Sequence, residues 1–141
     1  MEVLRQTDVT SNYQKILFMK KIFKIFIIIL VFTQFSFAQT LNSELVSEKA
    51  ELNFAFTKMR GIKCGKVIYF VENDLQIISA YRNGKLQWKT NIISVCGEPG
   101  VGKSEIRYLK LEAGKLFVTY GKHSFAEVDT GNGNAKFLGE D

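Results

Sequence analysis

Proline is almost missing from this 141-residue chain, Pro99 being its one instance, so a proline-rich linker or polyproline recognition segment is excluded. Histidine is as scarce. His123 stands alone, which leaves no His-rich metal site and no ordinary catalytic triad. Its neighbour Ser124 does not rescue the idea, because adjacent residues of a strand point to opposite faces, and His123 in "GKHSF" reads as a solvated turn residue. There are two cysteines, Cys64 and Cys96. Their spacing excludes a Cys-x-x-Cys redox motif, and their number supplies too few ligands for zinc. No acid/base constellation can be assembled either, so the expected catalytic, metal and cofactor sets are all empty.

No apolar run reaches the roughly 20 residues of a spanning helix. What is present instead is Met19-Lys20-Lys21-Ile22-Phe23-Lys24, a basic stretch, then the unbroken apolar run Ile25 to Phe32. Thr33-Gln34 and the small-x-small site Ser36-Phe37-Ala38 follow. This is the layout of a secretory signal cleaved between Ala38 and Gln39. The competing reading, a membrane anchor, is opposed by Gln34 and Ser36. No stable anchor is expected after cleavage, and the location is periplasmic or extracellular. Residues 1–18 precede an otherwise complete signal and are read as an upstream over-call of the start, with a cytoplasmic extension as the other option.

Gln39 to Asp141 then forms the mature chain, enough for one modest core. The formal net charge of +5 falls to +2 in it, because Arg5, Lys15, Lys20, Lys21 and Lys24, set against Glu2 and Asp8, place +3 of it before Gln39. No run of Lys and Arg remains, so nucleic acid is not an expected partner. In an exported chain the even cysteine pair points to a Cys64–Cys96 disulfide, worth on the order of 3–4 kcal/mol by loop entropy; two free buried thiols are the alternative.

Short β-prone runs dominate the rest. In order they are Val67 to Val71, Leu75 to Tyr81, Leu86 to Thr90 and Ile92 to Val95, then Ile106 to Leu111, Leu116 to Tyr120, Phe125 to Val128 and Ala135 to Leu138. Asn83-Gly84 is a strong hairpin signal, since both residues tolerate the positive φ of a type I′ turn. Gly65-Lys66-Val67-Ile68 matches Gly114-Lys115-Leu116-Phe117 at a spacing of 49, and Trp88 matches Phe137 at the same spacing. The pattern is a repeat of a four-stranded unit, about 62–96 and 106–141, of the size of a propeller blade. Gln39 to Lys63 fits a helix near Asn42 to Ala50 followed by a strand over Leu52 to Phe56, although Leu52, Phe54 and Phe56 alternate while Leu41, Leu45, Leu52, Phe56 and Met59 fit a helix face. Residues 39–60 are therefore read as a helix/strand cap on a β-repeat domain, 61–141, of the all-β, mainly antiparallel class.

Ala80-Tyr81-Arg82-Asn83-Gly84-Lys85-Leu86-Gln87-Trp88, and more loosely Ala126 through Phe137, resemble the blade motif of quinoprotein-type β-propellers: Ala-x-Asp, a Thr-Gly turn, then an aromatic. The first copy lacks the Asp and Thr and the second has Phe for Trp. Two units match, whereas the cofactor site of that family is built by many blades, so the resemblance implies the blade and not the chemistry.

One further motif demands an account. Gly97-x4-Gly102-Lys103-Ser104 satisfies the Walker A pattern. A working P-loop needs a strand before it, a helix behind it and an Asp-terminated apolar strand to complete the Mg²⁺ shell. Downstream, Leu116 to Tyr120 ends in Gly121, and Val67 to Val71 followed by Glu72-Asn73-Asp74 lies on the wrong side. The expectation is a surface connection between two units. Three functions stay open: an exported non-catalytic β module that binds an unknown protein or small molecule or serves structure, a P-loop nucleotide-binding protein, and a self-assembling incomplete propeller.

Overall fold

Positive φ at both Asn83 (51°) and Gly84 (75°) makes the turn expected there, and the same pair of angles recurs at Ala113 (49°) and Gly114 (75°). These turns set the register of everything around them. The computed structural model describes residues 12–25 and 41–141, which fall into two units. The Ala38–Gln39 site and residues 26–32 of the apolar run lie outside the described residues. In the first unit, residues 12–25 form a helix, α1, with exposed side chains including Phe18, Met19 and Phe23. Among the described residues no helix is long and apolar enough to cross a membrane.

The second unit is all-β and mainly antiparallel. Its strands are β1 (Val46–Ser47), β2 (Glu51–Asn53), β3 (Gly61–Cys64), β4 (Val67–Val71), β5 (Ile77–Arg82), β6 (Lys85–Asn91), β7 (Ile106–Glu112), β8 (Lys115–Tyr120), β9 (Ser124–Asp129) and β10 (Ala135–Glu140). They make two five-stranded sheets, ordered β1-β3-β4-β5-β6 and β10-β9-β8-β7-β2. Each contains a four-stranded antiparallel meander, β3 to β6 and β7 to β10. The N-terminal segment adds one strand to each. β1 lies parallel to β3, and β2 runs antiparallel to β7 with Leu52 opposite Leu109. Residues 46–53 thus form a strap that covers an edge in both sheets, and covering an edge removes a template for unwanted pairing.

Period-two alternation aims one face of each sheet at a common core. Leu116, Val118 and Tyr120 of β8 are buried and face it, as do Tyr69 and Val71 of β4 and Ile78 and Ala80 of β5. Leu52 of the strap sits in the same cluster. At the far edges the sheets are tied by Trp88 of β6, whose Nε1–H donates to the Thr130 carbonyl at 3.0 Å, and by Thr90, whose hydroxyl donates to the Gly133 carbonyl at 2.6 Å. Trp88 also lies against Tyr69, ring centroids 6.1 Å apart. Gly133 is required here: its φ is +76°, and a Cβ would come within 2.6 Å of the Trp88 ring.

Four elements differ from the sequence expectation, one being the strand expected over Leu52 to Phe56, which is Glu51–Asn53 with residues 54–56 in a turn closed by Phe56 N–H on Asn53 C=O at 3.0 Å. The helix near Asn42 to Ala50 is reduced to one 3-10 turn, Ser43–Leu45, capped by Asn42. The carbonyls that a helix would use are taken by strands instead: Leu45 accepts from Arg60 N–H at 2.7 Å and Ala50 from Leu111 N–H at 2.7 Å. Ile92 to Val95 is not a strand but the start of a short helix, α2 (Ile92–Cys96). Local caps overrule the β-branched residues, with Asn91 Oδ1 accepting from Ser94 N–H at 2.9 Å and Gly97 closing the end at φ 94°. The fourth strand of the first meander is supplied at its other end by β3, which the 49-residue spacing, read backward from Gly65 to the residues before Gly114, would have located.

Candidate functional site

The Walker-like letters follow α2 and lead into β7, so the local order is helix, loop, strand. The stretch that would have to be a helix behind a phosphate is the strand Ile106–Glu112. Lys103 is exposed. Two of the loop's donors are engaged at the surface, Gly100 N–H donating to Glu140 Oε1 at 2.9 Å and the Ser104 hydroxyl bonding the Glu98 carboxylate. Val101 C=O accepts Lys122 N–H at 2.7 Å. Pro99 packs on Gly121 so closely that a Cβ there would lie 2.3 Å from the proline ring. A carboxylate therefore takes a donor that a phosphate cradle would have kept. Lys103→Ala is expected to leave stability within about 0.5 kcal/mol, as exposed substitutions do, and calorimetry should show no Mg-ATP binding lost with it; micromolar binding abolished by the substitution would contradict this.

Glu140 ties three elements. Its Oε1 also accepts the buried Ser124 hydroxyl at 2.7 Å. The Ser124 bond, then the Gly100 bond, holds its carboxyl below the usual range. Such a contact contributes above the ordinary carboxylate value and fades as pH falls through the lowered one. His123 is exposed in the turn before β9 and offers its backbone carbonyl to Asp141 N–H at 3.1 Å. Nearby, the Tyr120 hydroxyl is buried with no hydrogen-bond partner among the described residues. Burial pushes up both this phenol and the Cys96 thiol.

The expected Cys64–Cys96 bridge is not formed; both thiols are free. Cys64 is exposed at the end of β3, beside the Gly65 turn, whereas Cys96 ends α2 and packs against the core. No metal-ligating group of three or more His, Cys, Asp or Glu side chains occurs among the described residues.

Two arrangements were not foreseen. On the outer face of the first sheet Glu72, buried, accepts the Ser79 hydroxyl at 2.6 Å and the Tyr81 hydroxyl at 3.2 Å. Burial, then the Glu72 charge, raises the Tyr81 phenol. The apolar run ending in "ENDL" flagged the acid, but its partners lie on the next strand. The second arrangement is a cleft of about 380 Å³ beside the strap, lined by Leu45, Phe54, Thr57, Lys58, Arg60, Asn73 and Leu75. Leu75 sits at φ +57°, an unfavourable conformation for a bulky residue that composition does not reveal.

Compared with known proteins, the chain matches no family model and no curated sequence.

Proposed function

We propose that this chain is an exported, non-catalytic binding module made of two quinoprotein-type blade units closed by their own N-terminal strap. The observation that carries the reading is the repeated register of the two meanders. Ala80 stands opposite Trp88 and Ala126 opposite Phe137, and in each unit the pairing shifts by one residue next to that aromatic. These are the Ala and aromatic positions of the blade motif, now directly cross-strand. The buried polar side chains Glu72, Ser79 and Ser124, with the partly buried Thr90, support a scaffold rather than a reaction centre, since each holds strands or turns together. Export rests on the leader's charge, apolar run and Ser36-Phe37-Ala38 site.

The test is the intact mass of the protein recovered from its host, together with its crosslinked neighbours. A mature chain beginning at Gln39 and crosslinked outside the cytoplasm is expected. Retention of residues 1–38 would contradict export, and turnover of a nucleotide by the recovered protein would contradict the non-catalytic role. A self-assembling form is favoured by one feature, the half-exposed Phe137 and Leu138 on edge strand β10, and solution mass separates it from the monomeric module.

A further inference from the structure

We infer that the cleft beside the strap is a binding site for a small ligand carrying one anionic group, a carboxylate or a phosphate ester, on an apolar body. Its walls are of two kinds. Leu45, Phe54 and Leu75 supply apolar surface, while Lys58 and Arg60 supply positive charge. Among the described residues no ion pair engages either cation. The neighbouring acid on the β4–β5 turn is occupied locally, Asp74 Oδ1 accepting Gln76 N–H at 3.0 Å and Ile77 N–H at 3.3 Å. Glu72 is bonded to Ser79 and Tyr81.

The walls are also fixed in place. Arg60 N–H donates to Leu45 C=O at 2.7 Å, and Arg60 C=O accepts Val71 N–H at 2.8 Å, which pins the arginine between the strap and β4. Phe54 N–H donates to Arg107 C=O at 3.0 Å, fixing the opposite wall to β7. Leu75 is held from both sides, by Glu72 C=O at 3.0 Å and by Ile106 N–H, which donates to its carbonyl at 2.6 Å. A leucine at positive φ is strained, and such outliers gather where a site is being shaped. A fixed cleft loses little conformational freedom on binding. The guanidinium offers planar paired donors and the ammonium a mobile charge, a combination that accepts either a carboxylate or a phosphate. The volume, near the lower end of small-molecule sites, limits the ligand to a single ring or a short chain.

The test is an amide-shift titration of the full chain with benzoate, phenyl phosphate, benzyl alcohol and inorganic phosphate, each up to about 10 mM. Saturable shifts confined to residues around Lys58–Gly61 and Asn73–Leu75 are expected with benzoate, phenyl phosphate or both, weakening as salt is added. Whichever of the two binds more tightly identifies the anionic group. Lys58→Ala with Arg60→Gln should weaken binding by about tenfold or more, with an unchanged melting midpoint showing that the fold is intact. If that pair unfolds the chain, Lys58→Ala alone, whose side chain is exposed, should still weaken binding severalfold. No saturable shift with either aromatic anion overturns the inference, as does equal binding of benzyl alcohol, equal binding of inorganic phosphate, or binding indifferent to the substitutions.

Discussion

Leu109→Ala is expected to destabilise the β unit by about 2–5 kcal/mol, the range for truncating a fully buried leucine. Leu109 is 0% exposed, stands at the centre of β7, and is flanked in register by Leu52 of the strap and Val118 of β8. Its removal opens a cavity where both sheets and the strap meet. Neighbouring strands cannot close over that cavity without shifting their ladders, so relaxation is limited. Domains of this size are stable by roughly 5–15 kcal/mol in all, which makes this one truncation a large fraction of the total. Urea unfolding followed by Trp88 fluorescence and by far-UV circular dichroism should show one shifted transition with both probes, because Trp88 reports the first sheet while its Nε1–H bond to Thr130 ties it to the second. Lys110→Ala, one residue along the same strand, removes an exposed ion pair with Glu112 and should change stability by less than about 1 kcal/mol. Similar effects for the two substitutions would mean that the shared core is wrongly placed.

The hairpins were legible in the sequence because their signals are local. Asn83-Gly84 and Gly114 announce turns whose φ values only certain residues tolerate, and alternation in "KLFVTY" announces a strand with one buried face. The strand β3 was missed, and only the repeat spacing could have located it: "GIKC" has little β signature, and Gly61 is there because Phe70 lies across it, with a Cβ only 2.9 Å from that ring. The short helix α2 hid behind three β-branched residues, and its evidence was the Asn91 and Gly97 caps. In the N-terminal strap, propensity gave two periodicities at once, and the outcome was decided by the distant N–H groups of Arg60 and Leu111, which donate to the Leu45 and Ala50 carbonyls and which no local window contains.

The candidate sites follow the same division. The Walker-like pattern was fully legible as letters, and its setting, a loop leaving a helix and entering a strand, is a property of the fold. The cleft was not legible at all. Lys58 and Arg60 come from the strap's return, Asn73 and Leu75 from the β4–β5 turn, and Leu45 and Phe54 from either end of the strap. Only the two-sheet arrangement brings those three segments together.

Removing residues 41–57 from the full chain is expected to abolish cooperative folding. The deletion takes away β1 and β2 and, with them, Leu52 from the core. It also strips partners from Arg60 N–H, Leu111 N–H and Arg107 C=O. Each lost backbone bond costs about 0.5–1.5 kcal/mol and the lost leucine burial a further amount of about 1.5–3 kcal/mol, so the sum approaches the lower end of the whole stability of a small domain. The bared edges of β3 and β7 would then be open to pairing between chains. The most direct measurement of whether the strap closes the two meanders into one module is thermal unfolding of this deletion by far-UV circular dichroism, with solution mass measured in parallel. A broad, non-cooperative melt with concentration-dependent aggregation is the expected result. A soluble monomer with a single sharp transition near the intact chain's midpoint would contradict the account.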